Sequence, residues 1–349
     1  MLNKKKVTVT GGSGFLASHC ILQLLQNGYS VKTTIRNKSR EKDIRNLLSE
    51  NVKYSANQLT FIEADLTSDK NWDEAVKGST CVLHVASPLP AGIPKDAENE
   101  LIKPAVEGTL RVLTASLNNK VKRVVMTSSM AAISYGHPYP KNISMLDENT
   151  WSDVHGKDNA PYMISKTLAE KAAWNFIENK ASRKLELVTI NPSAILGPIL
   201  GNECGTSALI VKKVLDRDVP ALPNLGFQIV DVRDVALAHL KAMTLPEANG
   251  KRIIITDRFV WFTEIAAILA EEFAPQGYKI PRLTIPDFLV KLFSLFDKET
   301  KGVLFELGIK RELSNKRMKT LLGISPIPAK ESILTTARTL ISKGLIKSK

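Results

Sequence analysis

Tyr162 and Lys166 are the residue pair in this sequence whose types and spacing are best suited to proton transfer. They lie four residues apart, directly after Pro161, and proline is favoured in the first turn of a helix. On a helix this spacing places both side chains on one face, although a lysine-rich chain also produces such pairs by chance. We expect the neighbouring cation and the positive end of the helix to lower the pKa of the phenol from its usual value of about 10. None of the other five tyrosines has a lysine at this offset.

A second residue suited to this chemistry is Ser129, the last residue of Val124-Val-Met-Thr-Ser-Ser129. An apolar run that ends in hydroxyl side chains is typical of a strand that stops at a ligand crevice. At that place the serine hydroxyl can donate a hydrogen bond to a carbonyl oxygen of a substrate. Serines at strand ends also form turns and caps, and these residues alone leave that alternative open.

Three glycines within four positions indicate how a phosphate could be bound nearby. In Val7-Thr-Val-Thr-Gly-Gly-Ser-Gly-Phe-Leu-Ala17 a β-branched strand stops at Gly11, and a helical apolar period begins at Phe15. We expect Gly11 to allow a tight turn and Gly14 to let the backbone approach a pyrophosphate. The free N–H groups at the start of the helix, including those of Phe15 and Leu16, would point at the negative charge. The alternative is a strand, turn and helix without a ligand, and the context favours a dinucleotide site.

The end of the second predicted strand indicates which dinucleotide is bound. An acidic residue there would accept a hydrogen bond from the ribose 2′-hydroxyl of NAD. This chain instead has Thr33-Thr-Ile-Arg-Asn-Lys-Ser-Arg40, with no carboxylate before Glu41. Arg36 could bind a 2′-phosphate through two parallel hydrogen bonds, and Lys38 or Arg40 could add positive charge. We therefore predict NADP(H), with an exposed turn arginine as the alternative.

Strand-like and helix-like segments alternate from the N-terminus to Asn191. This order predicts an α/β fold of the Rossmann type, in which a doubly wound parallel sheet is covered by helices on both faces. The strands are predicted at Val7–Thr10, Ser30–Ile35, Leu59–Glu63, Cys81–Val85, Arg123–Thr127 and Glu186–Ile190. The helices between them are predicted at Phe15–Gln26, Arg40–Leu48, Trp72–Val76, Ala97–Leu117 and Tyr162–Glu178.

After Asn191, prolines interrupt the pattern and predict a smaller, mainly helical substrate-binding lobe. One helix is expected at Ser207–Leu215, and the chain is expected to be helical again from Trp261. Strands at Phe227–Val230 and Arg252–Thr256 are expected to rejoin the sheet. The dinucleotide-binding domain would then comprise residues 1–192 and 227–257, and the lobe would comprise residues 193–226 and 258–349.

The composition is that of a soluble globular protein, with 44% hydrophobic and 24% charged residues. Three distant cysteines without metal-ligand spacing fit reduced thiols in the cytoplasm, and no signal peptide or bilayer-spanning run is expected. The apolar stretch 288–296 is expected to pack or to line a pocket. The last fifty residues carry eleven Lys/Arg against three Asp/Glu, which is most of the formal charge of +13. No aromatic or zinc-binding pattern accompanies this charge, so a solvated basic face is favoured over a nucleic-acid or membrane patch.

Together these segments resemble the extended short-chain dehydrogenase/reductases. They are most similar to the group that contains dihydroflavonol reductases, cinnamoyl-CoA reductases and methylglyoxal or aldehyde reductases. The matching segments run in the family's order, at Val9–Ala17, Asp65-Leu66, His84–Pro88, Val125–Ser129, Tyr162–Lys171, Asn191–Ser193, Gly197-Pro198 and Val230–Val235.

The resemblance implies roles for particular residues. Tyr162 would be the general acid, Lys166 would tune its pKa and contact the ribose, and Ser129 would polarise the carbonyl. The cofactor contacts that the resemblance implies are Asp65 and Leu66 at the adenine, Ala86 and Ser87 at the central portion, and Pro192 and Ser193 at the nicotinamide carboxamide.

Two segments depart from the specialised members of this group. Cinnamoyl-CoA reductases carry Asn-Trp-Tyr-Cys-Tyr at the catalytic tyrosine, where this chain has Ala160-Pro-Tyr-Met-Ile164. Dihydroflavonol reductases place an asparagine that contacts the flavonoid where this chain has Ser134. Both departures favour a general aldehyde or ketone reductase.

The resulting hypothesis is an NADPH-dependent carbonyl reductase that converts an aldehyde or ketone into an alcohol, with Tyr162 as the proton donor. The alternatives are an NAD-dependent nucleotide-sugar epimerase or dehydratase of the same fold, and a regulator that binds NADPH without turnover. We expect a small carbonyl compound as the partner, no nucleic acid or membrane, and a monomer or homodimer.

Overall fold

Seven strands form one parallel β-sheet whose apolar side chains are buried on both faces. The computed structural model describes residues 5–88, 94–137, 145–156, 158–181, 184–295, 302 and 304–347. The strands of this sheet are β1 (Lys6–Val9), β2 (Ser30–Ile35), β3 (Leu59–Glu63), β4 (Cys81–His84), β5 (Arg123–Thr127), β6 (Glu186–Pro192) and β9 (Arg252–Ile255). Their order is β3-β2-β1-β4-β5-β6-β9. The strand order reverses between β1 and β4, as in a doubly wound Rossmann-type sheet, so the predicted fold class is confirmed.

Helices cover both faces of the sheet. One face packs against α1, α2 and α7, and the other packs against α3, α4 and α5. The helices are α1 (Phe15–Gln26), α2 (Glu41–Ser49), α3 (Trp72–Val76), α4 (Lys103–Asn118), α5 (Pro161–Phe176), α6 (Ala208–Leu215), α7 (Val232–Thr244), α8 (Phe262–Phe273) and α9 (Asp287–Phe293), followed by Lys316–Thr320 and the C-terminal helix Ala329–Ser342. A π-helical turn, Glu98–Ile102, precedes α4, and another, Ile177–Ala181, follows α5.

The strand predicted at Phe227–Val230 does not rejoin the main sheet, and that prediction is wrong. This segment forms β8 (Gly226–Asp231), which pairs in parallel with β7 (Ala194–Leu196) and antiparallel with β10 (Arg258–Trp261). The three strands make a separate sheet. A single residue, Ser193, separates β6 from β7, and there the chain leaves the main sheet and begins the second one.

The smaller lobe is therefore built on a sheet as well as on helices. Its helices α6, α8 and the C-terminal helix share an apolar core that includes Val211, Val260, Leu269 and Ile333. The strand predicted at Arg252–Thr256 does rejoin the main sheet, as β9, where it pairs in parallel with β6. The division of the chain into domains by residue range stays a prediction.

The short helix α9 exposes most of its apolar side chains. Phe288, Leu292 and Phe293 are exposed, whereas Val290 is buried. These three residues do not pack inward, because a helix of two turns inserts only one side into its neighbours. Pocket lining, the other role expected for this stretch, stays a prediction. Phe296 lies outside the described residues. Within the described ranges no helix is long and apolar enough to cross a bilayer.

Asp234 on α7 is expected to make the stability of the fold depend on pH. Its carboxylate is buried and accepts a hydrogen bond of 2.7 Å from the backbone N–H of Ile327. Burial raises the pKa of Asp234 to about 6; Asp231 and Asp257 add to the rise, while the hydrogen bond and Arg233 oppose it. As the pH falls, the folded state takes up this proton before the unfolded state does. The ionised carboxylate therefore lowers the free energy of unfolding at pH values above about 6. This loss of stability diminishes as the pH falls and the carboxyl becomes protonated.

We predict that Asp234→Asn raises the free energy of unfolding by ~1–2 kcal/mol at about pH 7.5 and changes it little near about pH 4. The amide oxygen can still accept the hydrogen bond from Ile327. Urea unfolding of both proteins at the two pH values measures the difference. An equal effect at both pH values would contradict this assignment.

Candidate active site

The glycine turn after β1 lies at the point where the strand order reverses. Gly11 has φ +74°, and a Cβ there would lie 3.0 Å from the Cβ of Ala86. A Cβ on Gly12 would lie 2.2 Å from Oγ1 of Thr33, so this position also excludes a side chain. The tight turn predicted at Gly11 is present, and the steric requirement at Gly12 was missed from the sequence because Thr33 is distant along the chain.

Beyond this turn α1 begins with unpaired N–H groups. Gly14 caps the helix without a side chain, and the first helical hydrogen bond runs from the N–H of Ser18 to the carbonyl of Gly14 at 3.0 Å. The N–H groups of Phe15, Leu16 and Ala17 therefore have no partner within the helix, and its first turn carries no acidic residue. Such an N-terminus attracts an anion, which is the arrangement that a pyrophosphate requires.

Basic side chains follow β2 at the same edge of the sheet. Arg36 and Lys38 are exposed there. Arg40 instead forms an ion pair with Glu203 at 2.7 Å, so its charge is already partly compensated. Three basic residues are predicted to contact a 2′-phosphate. Of these, Arg36 and Lys38 are better placed for that contact than Arg40.

Asp65 and Leu66 follow β3, beside the end of β2. Hydrogen bonds from the hydroxyl and N–H of Thr67, at 2.6 and 2.8 Å, lower the pKa of Asp65, and the charge of Arg36 lowers it further. Leu66 packs against Gly108 of α4, where a Cβ would lie 2.8 Å from its side chain. The two residues predicted to contact the adenine thus lie at the same edge as Arg36.

Ser129, Tyr162 and Lys166 meet beyond the carboxyl end of β5. Oγ of Ser129 accepts a hydrogen bond of 3.1 Å from the N–H of Ala131. Tyr162 and Lys166 lie in the first turns of α5, with Nζ of the lysine 6.0 Å from the centroid of the tyrosine ring. The hydroxyl of Ser129 lies close enough to Tyr162 to lower the pKa of its phenol. The structure thus brings together the three side chains that the sequence assigns to proton transfer.

The pKa of Tyr162 is shifted in the opposite direction to the predicted one. Burial raises the pKa of this phenol, and the neighbouring hydroxyl of Ser129 only partly offsets the rise. Burial also lowers the pKa of Lys166 to about 8, against the opposing charge of Glu170. The prediction considered the cation beside the phenol but not the loss of water around both groups. The phenol is therefore protonated at neutral pH, as a proton donor must be, although the raised pKa makes it a weaker acid than a free tyrosine.

Ala86 and Ser87 leave β4 next to the glycine turn. The N–H of Ala86 donates a hydrogen bond of 2.9 Å to Oγ1 of Thr10, and the same hydroxyl lies 2.9 Å from Nδ1 of His84. This network fixes the chain where the central portion of a dinucleotide would pass. The described residues include no group of three His, Cys, Asp or Glu side chains that could hold a metal ion.

Ser193 carries a buried hydroxyl that has no hydrogen-bond partner among the described residues. Its backbone N–H donates to the carbonyl of Ile255 at 3.1 Å, which fixes its place directly after Pro192 and the end of β6. An unpaired buried hydroxyl costs ~1–3 kcal/mol, so this atom indicates a place for a polar group of a ligand. A carboxamide, which can both donate and accept a hydrogen bond, fits it.

The carboxylate of Glu170 is a part of this site that the sequence analysis missed. It is fully buried on α5, one turn after Lys166, and forms an ion pair with Arg252 of β9 at 2.7 Å. It also accepts hydrogen bonds from Oγ of Ser128 at 2.5 Å and from Nδ2 of Asn191 at 2.8 Å. The signal that could have found it is the acidic residue four positions after Lys166, on the same helix face.

Ser134, at the position of the flavonoid-contacting asparagine, is fully buried. Its hydroxyl donates to the carbonyl of Met130 at 3.1 Å, and its own carbonyl accepts a hydrogen bond of 3.1 Å from Nε of Arg311. Arg311 also pairs with Asp158 at 3.0 Å, and its guanidinium lies 4.4 Å from the centroid of the Tyr135 ring. The polar groups of Ser134 are therefore bound within the protein and are not available to a substrate.

The model of the NAD dependent epimerase/dehydratase family matches residues 7–256, which include the glycine turn and all three proton-transfer residues. The chain belongs to this family. A cinnamoyl-CoA reductase of Medicago truncatula is 35% identical over 341 residues, which are 97% of this chain and 96% of that protein. The yeast methylglyoxal/isovaleraldehyde reductase Gre2, solved with NADPH, is 29% identical, with a TM-score of 0.80 over 98% of this chain and all of that one. Vestitone reductase from alfalfa is 27% identical, with a TM-score of 0.75 over 98% of this chain. The predicted family resemblance is confirmed.

We predict that Tyr162 ionises above the usual range for tyrosine. The difference in phenolate absorbance between the wild type and Tyr162→Phe reports this residue alone, and we expect it to develop only above about pH 10. Ser129→Ala should move the transition to still higher pH, because it removes the hydroxyl that lowers the pKa of Tyr162. A transition below about pH 9 would instead support a phenol made acidic by Lys166.

Proposed function

We propose that this protein is a carbonyl reductase that converts an aldehyde or ketone into an alcohol. Its relatives and its structural neighbours place it among the NADP-dependent oxidoreductases that act on carbonyl or alcohol groups. One observation supports the finer assignment. Ser129, Tyr162 and Lys166 converge near the carboxyl end of β5, and Ser193 directly follows the neighbouring strand β6.

The cofactor is NADP(H), and the residues of the site fit it. The N-terminus of α1, with Gly11 and Gly14 before it, suits the pyrophosphate, and the unpaired hydroxyl of Ser193 suits the nicotinamide carboxamide. The other proposed contacts are Phe15 and Leu16 at the phosphates, Arg36 and Lys38 at the 2′-phosphate, Asp65 and Leu66 at the adenine, Ala86 and Ser87 at the central portion, Tyr162 and Lys166 at the ribose, and Pro192 beside the carboxamide. When bound, NADPH supplies the hydride that reduces the carbonyl carbon.

The protein's own residues hold the carbonyl oxygen and supply the proton. The hydroxyls of Ser129 and Tyr162 donate hydrogen bonds to this oxygen and stabilise the negative charge that develops on it. Tyr162 then transfers its proton to the oxygen, and the ammonium of Lys166 stabilises the phenolate that remains. General acid catalysis of this kind contributes ~10²–10⁴-fold to the rate.

The test of this function is NADPH consumption with a panel of aldehydes, α-dicarbonyls and ketones. Turnover of at least one class of these compounds is the expected result. Binding of NADPH without turnover of any of them would favour the sensing regulator. Copurification of NAD with activity on a sugar nucleotide would favour the epimerase or dehydratase.

We predict that Tyr162→Phe lowers turnover at least ~100-fold, because it removes the proton donor but keeps the ring. The dissociation constant of NADPH, measured by its fluorescence, should change little. Tyr29→Phe makes the same substitution before β2 and should leave turnover unchanged. Near-normal turnover of the Tyr162 variant would remove this residue from the mechanism.

We predict that Arg36→Asp moves the preference from NADPH towards NADH, because a carboxylate repels the 2′-phosphate and can accept a hydrogen bond from a 2′-hydroxyl. The ratio of kcat/KM for the two cofactors measures this preference. Lys53→Asp, an equal change of charge at an exposed residue before β3, is the matched control. An unchanged ratio in the Arg36 variant would refute the assignment of Arg36 to the 2′-phosphate.

A further inference from the structure

The carboxylate of Glu170 receives hydrogen bonds from several elements of the fold. Besides Arg252, Ser128 and Asn191, it accepts hydrogen bonds from Oγ1 of Thr189 at 2.9 Å and from Nε1 of Trp174 at 3.3 Å. The donors lie on α5, on β6, on β9 and directly after β5. A buried carboxylate is costly to desolvate, and it is tolerated only when its oxygens are well paired.

These partners are the immediate neighbours of the residues that carry the proposed chemistry. Ser128 directly precedes Ser129. Nδ2 of Asn191 also donates a hydrogen bond of 3.2 Å to the carbonyl of Ser129, so one amide ties Glu170 to the backbone of that serine. Asn191 in turn lies two residues before Ser193. A displacement of the carboxylate would therefore move the Ser129 backbone and the end of β6 together.

Glu170 also acts on Lys166 through its charge. It raises the pKa of Lys166, against the burial that lowers it to about 8. The groups that face Lys166 from other elements do not replace this effect. His84 on β4 is buried, its pKa is lowered to about 3, and it carries no charge at neutral pH. Arg252 on β9 pairs with the same carboxylate but is itself a cation, so it cannot replace this negative charge.

We propose that Glu170 is a positioning residue of the proposed reductase: its carboxylate fixes the backbone of Ser129 through Ser128 and Asn191, and its charge keeps Lys166 cationic beside Tyr162. This inference rests on the proposed function. A merely structural role, in which Glu170 only neutralises Arg252, would require none of these links to Ser129 and Lys166.

The decisive variant is the double substitution Glu170→Gln and Arg252→Met. It removes both charges at nearly constant volume, and such replacements of buried ion pairs are often tolerated. In the pH profile of kcat/KM, we expect the alkaline limb to shift to lower pH by about one unit, because Lys166 loses its proton more easily. Trp174→Phe removes a donor that does not contact Ser129, and it should leave the limb in place. A double variant with the wild-type pH profile and only reduced stability would overturn the proposal.

Glu170→Asp separates the two effects and does not depend on the double variant folding. It keeps the charge but withdraws the carboxylate by one methylene, so we expect the alkaline limb to stay while kcat falls ~10-fold and KM for NADPH changes less than about twofold. Wild-type kcat in this variant would refute the positioning role.

A measurement without turnover distinguishes this inference from the proposed function. In protein labelled with ¹³C at lysine Cε, the signal of Lys166 is assigned by its loss in Lys166→Met and followed through a pH titration. A lower midpoint in the double variant would support the role of the charge even if no carbonyl substrate is turned over. An unchanged midpoint would refute that role whatever the activity.

Discussion

The ion pair between Glu170 and Arg252 is the interaction on which the arrangement of the site depends. Both side chains are buried, and each has lost the water that would otherwise solvate its charge. Such a pair is stable only when the remaining hydrogen-bonding capacity of both groups is used. Arg252 accordingly donates to the carbonyls of Glu148 and Thr150 at 3.0 and 2.6 Å, and its guanidinium lies 3.7 Å from the centroid of the Trp151 ring. The need to satisfy two buried charges thus ties the segment before α5 to β5, β6 and β9.

A second constraint acts at the opposite side of the crevice, where phosphates would be bound. In the turn after β1, Gly11 and Gly12 leave no room for a side chain, and the helix after it has no side-chain cap at its N-terminus. There the protein provides backbone N–H groups in place of charged side chains. The cationic side chains proposed for the 2′-phosphate lie elsewhere, at the end of β2, where Arg36 and Lys38 are exposed. In the proposed binding mode, cofactor binding and discrimination between cofactors therefore use different groups, so a change of one residue can test selectivity alone.

Much of this site could be predicted from the sequence because its elements are local. The glycine turn, the strand that ends at Ser129 and the four-residue spacing from Tyr162 to Lys166 are each contained in a single segment. Two predictions failed because they depended on the tertiary fold. An apolar run such as 227–230 does not reveal which sheet it joins, and the strand that receives it, β7, starts one residue after β6 ends. The pKa of Tyr162 depends on the burial of its ring, and the sequence shows the neighbouring cation but not the missing water. Glu170 was overlooked because a buried acid has the same appearance in a sequence as a solvated one.

The single residue between the two sheets has a consequence for how substrate preference can change. Ser193 is anchored through its N–H to β9 of the main sheet, while the next residue already belongs to β7 of the smaller one. Any substitution that tilts the small sheet would thus be transmitted within one peptide unit to Ser193, the proposed contact of the nicotinamide. Changes in α6 or α9, which are separated from this junction by longer connections, lack that direct coupling. Divergence among relatives of this kind would be expected to accumulate in those helices and to spare the short strand that leaves the junction.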